Sequence, residues 1–244
     1  SGDAISYGLE YVFNSGSTRY WISAASFGSS NFVIAYQDYG YGYYGTTIIG
    51  VYTPNTVPVI SIEPSDGGSS SSSPTNTGSN VTFTTTATDT ESDNYYLAVC
   101  KTDAITANIN SIPTCDSGSW CISSSTSSES EASCNYATSS GDAESNAWYA
   151  FACDYSDEPL CSSSAQGTGD SGSPFSVNHR PDFTAISDAP DPITAGSDIT
   201  FTATASDLDT DGSADTVTLY VCKLNDFTGS ACGAGGEWCH SLAL

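Results

Sequence analysis

Asn80–Lys101 reads NVTFTTTATDTESDNYYLAVCK, and Asp198–Lys223 reads DITFTATASDLDTDGSADTVTLYVCK. The two stretches are copies of one unit. Each opens with β-branched and aromatic residues alternating with small polar ones, over residues 81–88 and 199–205. That is the period of a strand with one buried face. Each then crosses a cluster of acids and ends on a second apolar run, 95–100 or 217–222, closed by Cys-Lys. AWYAFAC at 147–153 repeats the pattern. Asp, Ser and Gly clusters separate the runs, and no helical periodicity persists. The expectation is an all-β chain built from antiparallel sandwiches.

The repeat extends outward from these stretches. Asn55-Thr56-Val57-Pro58 opens the first copy and His179-Arg180-Pro181 the second, while Cys100 and Cys222 stand 122 positions apart. Further on, CDSGSWC (Cys115–Cys121) matches CGAGGEWC (Cys232–Cys239), each with Trp before its last Cys. Three regions follow: 1–53, 54–178 as a disulfide-rich sandwich, and 179–244 as a partial second copy. By the length of the first copy, the second is short by about 50 residues. Among them is the equivalent of the AWYAFACDY strand, expected to be central. Its apolar interior and sheet edges must then be covered by flanking repeats or by another subunit. The chain, starting Ser1-Gly2-Asp3, reads as a mature or excised piece of something longer.

Nine cysteines divide six and three between the copies, so at least one lacks a partner in the chain. Cys239-His240 looks like the tail of a haem site, but covalent haem attachment needs CxxCH, and six residues separate Cys232 from Cys239. The cysteines read as a disulfide framework in an oxidising compartment. The expected pairs are Cys115–Cys121 and Cys232–Cys239 as loop clips, with Cys100–Cys153 and Cys134–Cys161. Cys222 is then left over.

GSNVTFTTTATDTESDNYYLAVCK and GSDITFTATASDLDTDGSADTVTLYVCK resemble the Ig-like repeats of prokaryotic surface proteins, of the PKD and bacterial cadherin-like kind. Those repeats open after a proline-marked linker and carry G-x-x-V-T-F-T-A-x-A-x-D before clustered acids. The resemblance covers about residues 55–244 and implies Ig-like sandwiches on a secreted surface protein. The cysteine set departs from that family, so the structure of the loops between Cys100 and Cys161 does not carry over. Residues 1–53, with SYGLEYVFNSG, RYWISAASFG, NFVIAYQDYG and GTTIIGVY, read as four short strands resembling one blade of a β-propeller.

Charge bounds the partners. Asp and Glu number 28 against 4 Lys and Arg, giving −24 overall. Such a surface repels phosphate backbones and anionic lipid, and it attracts Ca²⁺. No apolar run is long enough to span a membrane as a helix. DLDTDGSAD (Asp207–Asp215) follows a D-x-D-x-D-G calcium-loop spacing, with Asp207, Asp209, Asp211 and Asp215 as candidate ligands. Thr218 stands where an EF-hand has its bidentate Glu, so that motif is incomplete. The first copy offers Asp89, Glu91 and Asp93 at the same place. Asp188 and Asp191 could join a junction site. A solvated acidic turn is the alternative.

Other motifs carry less. GDSGSP (Gly169–Pro174) nearly copies a serine-protease signature, but both histidines, His179 and His240, follow Ser171, so the general base has no source in the required order. The segment is expected to be a flexible connection. Ser69–Pro74 reads as an exposed loop or an O-glycosylated patch. Tyr36, Tyr39, Tyr41, Tyr43 and Tyr44 form either an aromatic contact surface or a hairpin packed on itself. Asn80 fits an N-glycosylation acceptor. No nucleotide-binding loop or zinc spacing is present.

The expectation is a non-enzymatic, extracellular, structural or adhesive protein, built into a homo-polymer or a longer array of repeats. The alternative is a glycan- or partner-binding front end on an Ig-like stalk.

Overall fold

The computed structural model describes residues 22–27, 31–38, 44–51, 53–207, 209 and 216–242, and the chain is all-β, with no α-helix among these residues. β1 (Ser23–Phe27), β2 (Asn31–Asp38) and β3 (Tyr44–Val51) form an antiparallel sheet in sequence order. These are three of the four strands expected at the front; the first lies in residues 1–21, outside the described residues. Ile49 and Val51 are exposed, while Tyr36 is buried.

Residues 54–178 fold as a sandwich. Its strands are β4 (Val59–Ser65), β5 (Thr75–Asn76), β6 (Asn80–Thr88), β7 (Tyr95–Cys100), β8 (Ile105–Thr106), β9 (Thr114–Cys115), β10 (Ser119–Ile122), β11 (Glu131–Ala137), β12 (Ser145–Asn146), β13 (Tyr149–Asp154) and β14 (Phe175–Asn178). One layer has the order β11-β6-β4 and the other β10-β7-β13; β12, β14 and β5 form a small third sheet, and β8 pairs with β9. The strand at 149–154 was expected to be central, but β7 holds that place. β7 reaches it because Tyr95, Leu97 and Val99 face the interior while Ala98 and Cys100 are buried on the outer face. A strand buried on both faces reads as a continuous apolar run, which YYLAVC is.

Between the layers lies a chain of ring contacts. Trp148 meets Phe83 edge-on at 5.4 Å, Phe83 meets Phe175 at 5.9 Å, and Phe175 meets Trp120 at 4.9 Å. Tyr95 carries its hydroxyl into the same core and donates to the Ser130 carbonyl at 2.6 Å. The polar tip is thereby satisfied where no water reaches it.

The disulfides differ from every expected pair. They are Cys100–Cys115, Cys121–Cys134, Cys153–Cys161 and Cys222–Cys232, with Cys239 free. Each joins consecutive cysteines along the chain. Strand parity explains the correction. Cys100 and Cys153 both lie on the outer face, but Tyr149, not Cys153, stands opposite Cys100. Four residues of strand separate them by about 13 Å, nearly twice the reach of a disulfide. Cys121 packs on the inter-layer core whereas Cys115 packs on the outer face, so they cannot meet. Cys134 also faces inward and Cys161 outward. Cys121–Cys134 is therefore the one bond that crosses the sandwich, and the other two staple loops onto its outside.

Two loops also differ from expectation. GDSGSP begins with a 3-10 turn at Gly169–Ser171 and packs against the first layer, where the Asp66 amide donates to the Ser171 carbonyl at 3.0 Å. Gly167 just before it has φ +66°, and a Cβ there would collide with the Pro64 carbonyl. The segment is a wedge within the first sandwich and not a slack tether. Ser69 is buried and donates to the Ser176 carbonyl at 2.8 Å, so the serine run is anchored at its start.

Residues 179–242 add β15 (Asp182–Ala189), β16 (Thr200–Ser206), β17 (Tyr220–Cys222) and β18 (Glu237–His240), which among the described residues pair as β15-β16 and β17-β18. These are the counterparts of β4-β6 and β7-β10. The registers coincide residue for residue: Cys121 opposes Val99 as Cys239 opposes Val221, and Ser119 opposes Cys100 as Glu237 opposes Cys222. Both turns rest on a positive-φ glycine, Gly118 at +92° and Gly236 at +75°.

Candidate functional site

The acidic loops act first on the linkers. Asp89 Oδ1 accepts from the Glu91 amide at 2.9 Å, and Asp207 Oδ1 from the Asp209 amide at 3.0 Å. This Asx turn presents the second carboxylate to the residue that opens the copy. Glu91 Oε2 accepts from the Thr56 amide at 3.1 Å and from its hydroxyl at 2.7 Å. Asp209 Oδ2 accepts from the His179 amide at 2.5 Å, and His179 Nδ1 donates to Asp209 Oδ1 at 2.6 Å. Alternating acids in these loops therefore clasp the incoming chain, a use the calcium-loop pattern did not reveal.

His179 is buried at the passage between the two sandwiches. Its bond to Asp209 holds its pKa above the ordinary value; burial opposes this, and the Asp209 charge and the Asp142 main chain reinforce it. A raised histidine pKa means a contact fully present below about pH 6.5 and lost as pH climbs through the folded value. The melting-temperature gap between wild type and His179→Ala should be widest near pH 5.5 and narrow toward pH 9, read by calorimetry across that range. A gap independent of pH would remove the charged clasp.

Among the described residues no three metal-ligating side chains stand close enough to hold an ion. Even so, the corner near Asn55 is short of cations. Asp89 Oδ2 and Asn55 Oδ1 are buried without a partner. Asp93 has its pKa raised by burial and then by the charges of Asp89, Asp154 and Glu91. Asn55 Nδ2 meanwhile donates to Asp154 Oδ2 at 2.7 Å. In the second copy Asp207 and Asp209 form the clasp above, while Asp211 and Asp215 lie outside the described residues. Asp188 and Asp191 are exposed on and just beyond β15.

The second place is the pair of two-stranded sheets in residues 179–242. Phe83, Leu97 and Val99 are at most 1% exposed in the first copy, whereas their counterparts Phe201, Leu219 and Val221 are only half-buried. Trp120 is held between Tyr136 at 4.8 Å and Phe175 at 4.9 Å. Its counterpart Trp238 is 68% exposed, touched by Lys223 at 5.0 Å as Trp120 is by Lys101 at 4.3 Å. A cleft of about 430 Å³ opens where the interior should be, lined by Ile186, Phe201, Leu219 and Val221. In the first copy β11 fills the free edge of β6, and β13 that of β7. Among the described residues neither has a counterpart in the second module, and β16 and β17 each pair with a strand on one edge. Cys239 is exposed at the rim.

Other candidates are placed as follows. Tyr36 is buried, so its ring is not a contact surface; Tyr44 begins β3, and Tyr39, Tyr41 and Tyr43 lie outside the described residues. Asn80 is exposed at the start of β6. His179 bonds to Asp209 and His240 to Glu237.

Fold and site together define an all-β, disulfide-bonded chain that pairs a closed sandwich with an open one. Comparison with protein-family models, curated proteins and solved structures gave no match.

Proposed function

We propose that this chain is an extracellular structural or adhesive component, a unit of a filament or long array whose β modules are completed in series. The open half-sandwich carries this reading. A hydrophobic cleft with two bare strand edges is a surface that natural proteins cover, and added strands cover it best because they supply both backbone partners and side chains. Four disulfides suit an oxidising compartment. The charge of −24 disfavours nucleic acid and anionic membranes as partners. Tyr36 in the interior leaves a glycan-binding front face with less support.

Two experiments test the reading. Electron microscopy of material isolated in its native state should show continuous filaments, and light scattering should show masses well above that of one chain. A monodisperse monomer at high concentration would remove it. Within the same proposal, Ca²⁺ binds at Asp89 and Asn55, with Asp93 and Asp154 beside them, and neutralises the acids that anchor the linker. Melting temperature should then fall by several degrees in chelator and recover with added calcium. Superimposable melts would exclude the ion.

A further inference from the structure

We propose that the open second module captures a β11-like strand bearing a cysteine, and that Cys239 forms a disulfide with it. This rests on the serial completion proposed above and specifies its chemistry. The first module supplies the template. There Cys134 stands opposite Phe83 on β6 and bonds across the sandwich to Cys121, its partner 13 residues away. Cys239 occupies the place of Cys121, with the same strand pairing and the same preceding Trp. Within residues 179–244 no cysteine stands in the place of Cys134. The other eight cysteines are committed to bonds within the chain, so a second copy of these residues offers only its own Cys239.

The site states what the strand must be. Its cysteine lies opposite Phe201, on the bare edge of β16. An aromatic residue two positions later covers Trp238, as Tyr136 covers Trp120. Intervening residues are polar, as Ser133 and Asn135 are, because they face outward. The occupant is a β-strand with the pattern small-polar-Cys-polar-aromatic. Backbone pairing to β16 brings its sulfur to Cys239.

Coupling can be followed without an external oxidant. The probe is a synthetic peptide of residues 127–139, SSESEASCNYATS, with its cysteine carried as a mixed disulfide with 2-thiopyridine. The Cys239 thiolate attacks the peptide sulfur, a protein–peptide disulfide forms, and pyridine-2-thione departs with the electron pair. The thiol proton passes to solvent. With the full chain, this peptide should couple at least about tenfold faster than a shuffled peptide of the same composition, because docking raises the local concentration. Amide exchange along β16 should then slow. Phe201→Asp should reduce the rate to that of the shuffled peptide, while the rate with dithiodipyridine, which needs no docking, stays the same. Equal rates for both peptides, or preferential Cys239–Cys239 dimers, would overturn the inference. Filaments of a Cys239→Ser chain as resistant to denaturant as wild type would also sink covalent capture, while leaving serial completion intact.

Discussion

Trp148→Ala should lower the stability of the first sandwich by about 3–5 kcal/mol, the range for truncating a large buried aromatic. Trp148 is fully buried and closes one end of the aromatic chain through Phe83. Removing the indole leaves a void that neither layer can collapse into, because β7 and β13 are held on both faces. A second loss adds to the first. Asp66 is 1% exposed; one carboxylate oxygen accepts from the amides of Gly68 and Ser69, and the other faces Trp148 Nε1 at 3.4 Å. Burial already holds the Asp66 pKa above its usual value, against the pull of these bonds. Without the indole donor it should rise further. Urea unfolding followed by circular dichroism gives the stability change, and Trp148→Phe should recover part of it. A loss under about 1 kcal/mol would mean that the two layers are not joined through this ring.

Replacing both Cys121 and Cys134 by Ala should cost a similar amount. Closing a loop of this length contributes about 3 kcal/mol through the unfolded chain. Both sulfurs also pack on the inter-layer core, so their removal thins the contact between sheets. The same change at Cys153 and Cys161 should cost less, because that bond closes a loop of only 8 residues against the outer face and leaves the layers in register. Proteolysis gives an independent reading: losing the crossing bond should expose sites in β6 and β11, whereas losing an outer staple should expose only its own loop. Equal losses from all three pairs would contradict the division of the cysteines by face.

Much of the fold was legible in the alternation of VTFTTTAT and ITFTATA and in the unbroken apolar run YYLAVC. The repeat was legible in matched Cys-Lys and Trp-Cys pairs, and the registers of β7-β10 and β17-β18 show why those pairs recur. The disulfide map was misread because spacing along the chain says nothing about which face a side chain takes. Val99 and Cys100 differ by one position and therefore by one face. That parity was available, but the face of Cys121 depends on its pairing with Val99, a long-range fact. The clasp between the acidic loops and the linkers was hidden for the same reason. Glu91 and Thr56 are 35 residues apart, and the spacing of acids alone points as readily to a metal as to a hydrogen-bonded turn.

Consecutive pairing has a consequence for how the chain is made. A polypeptide threaded outward from its amino terminus presents Cys100 and then Cys115, Cys121 and then Cys134, and each cysteine meets its correct mate as the next thiol to emerge. An oxidase working at the exit point can seal each pair in turn, and no shuffling enzyme is needed to untangle wrong connections. Cys239 alone stands outside that order, exposed on β18 of the second module.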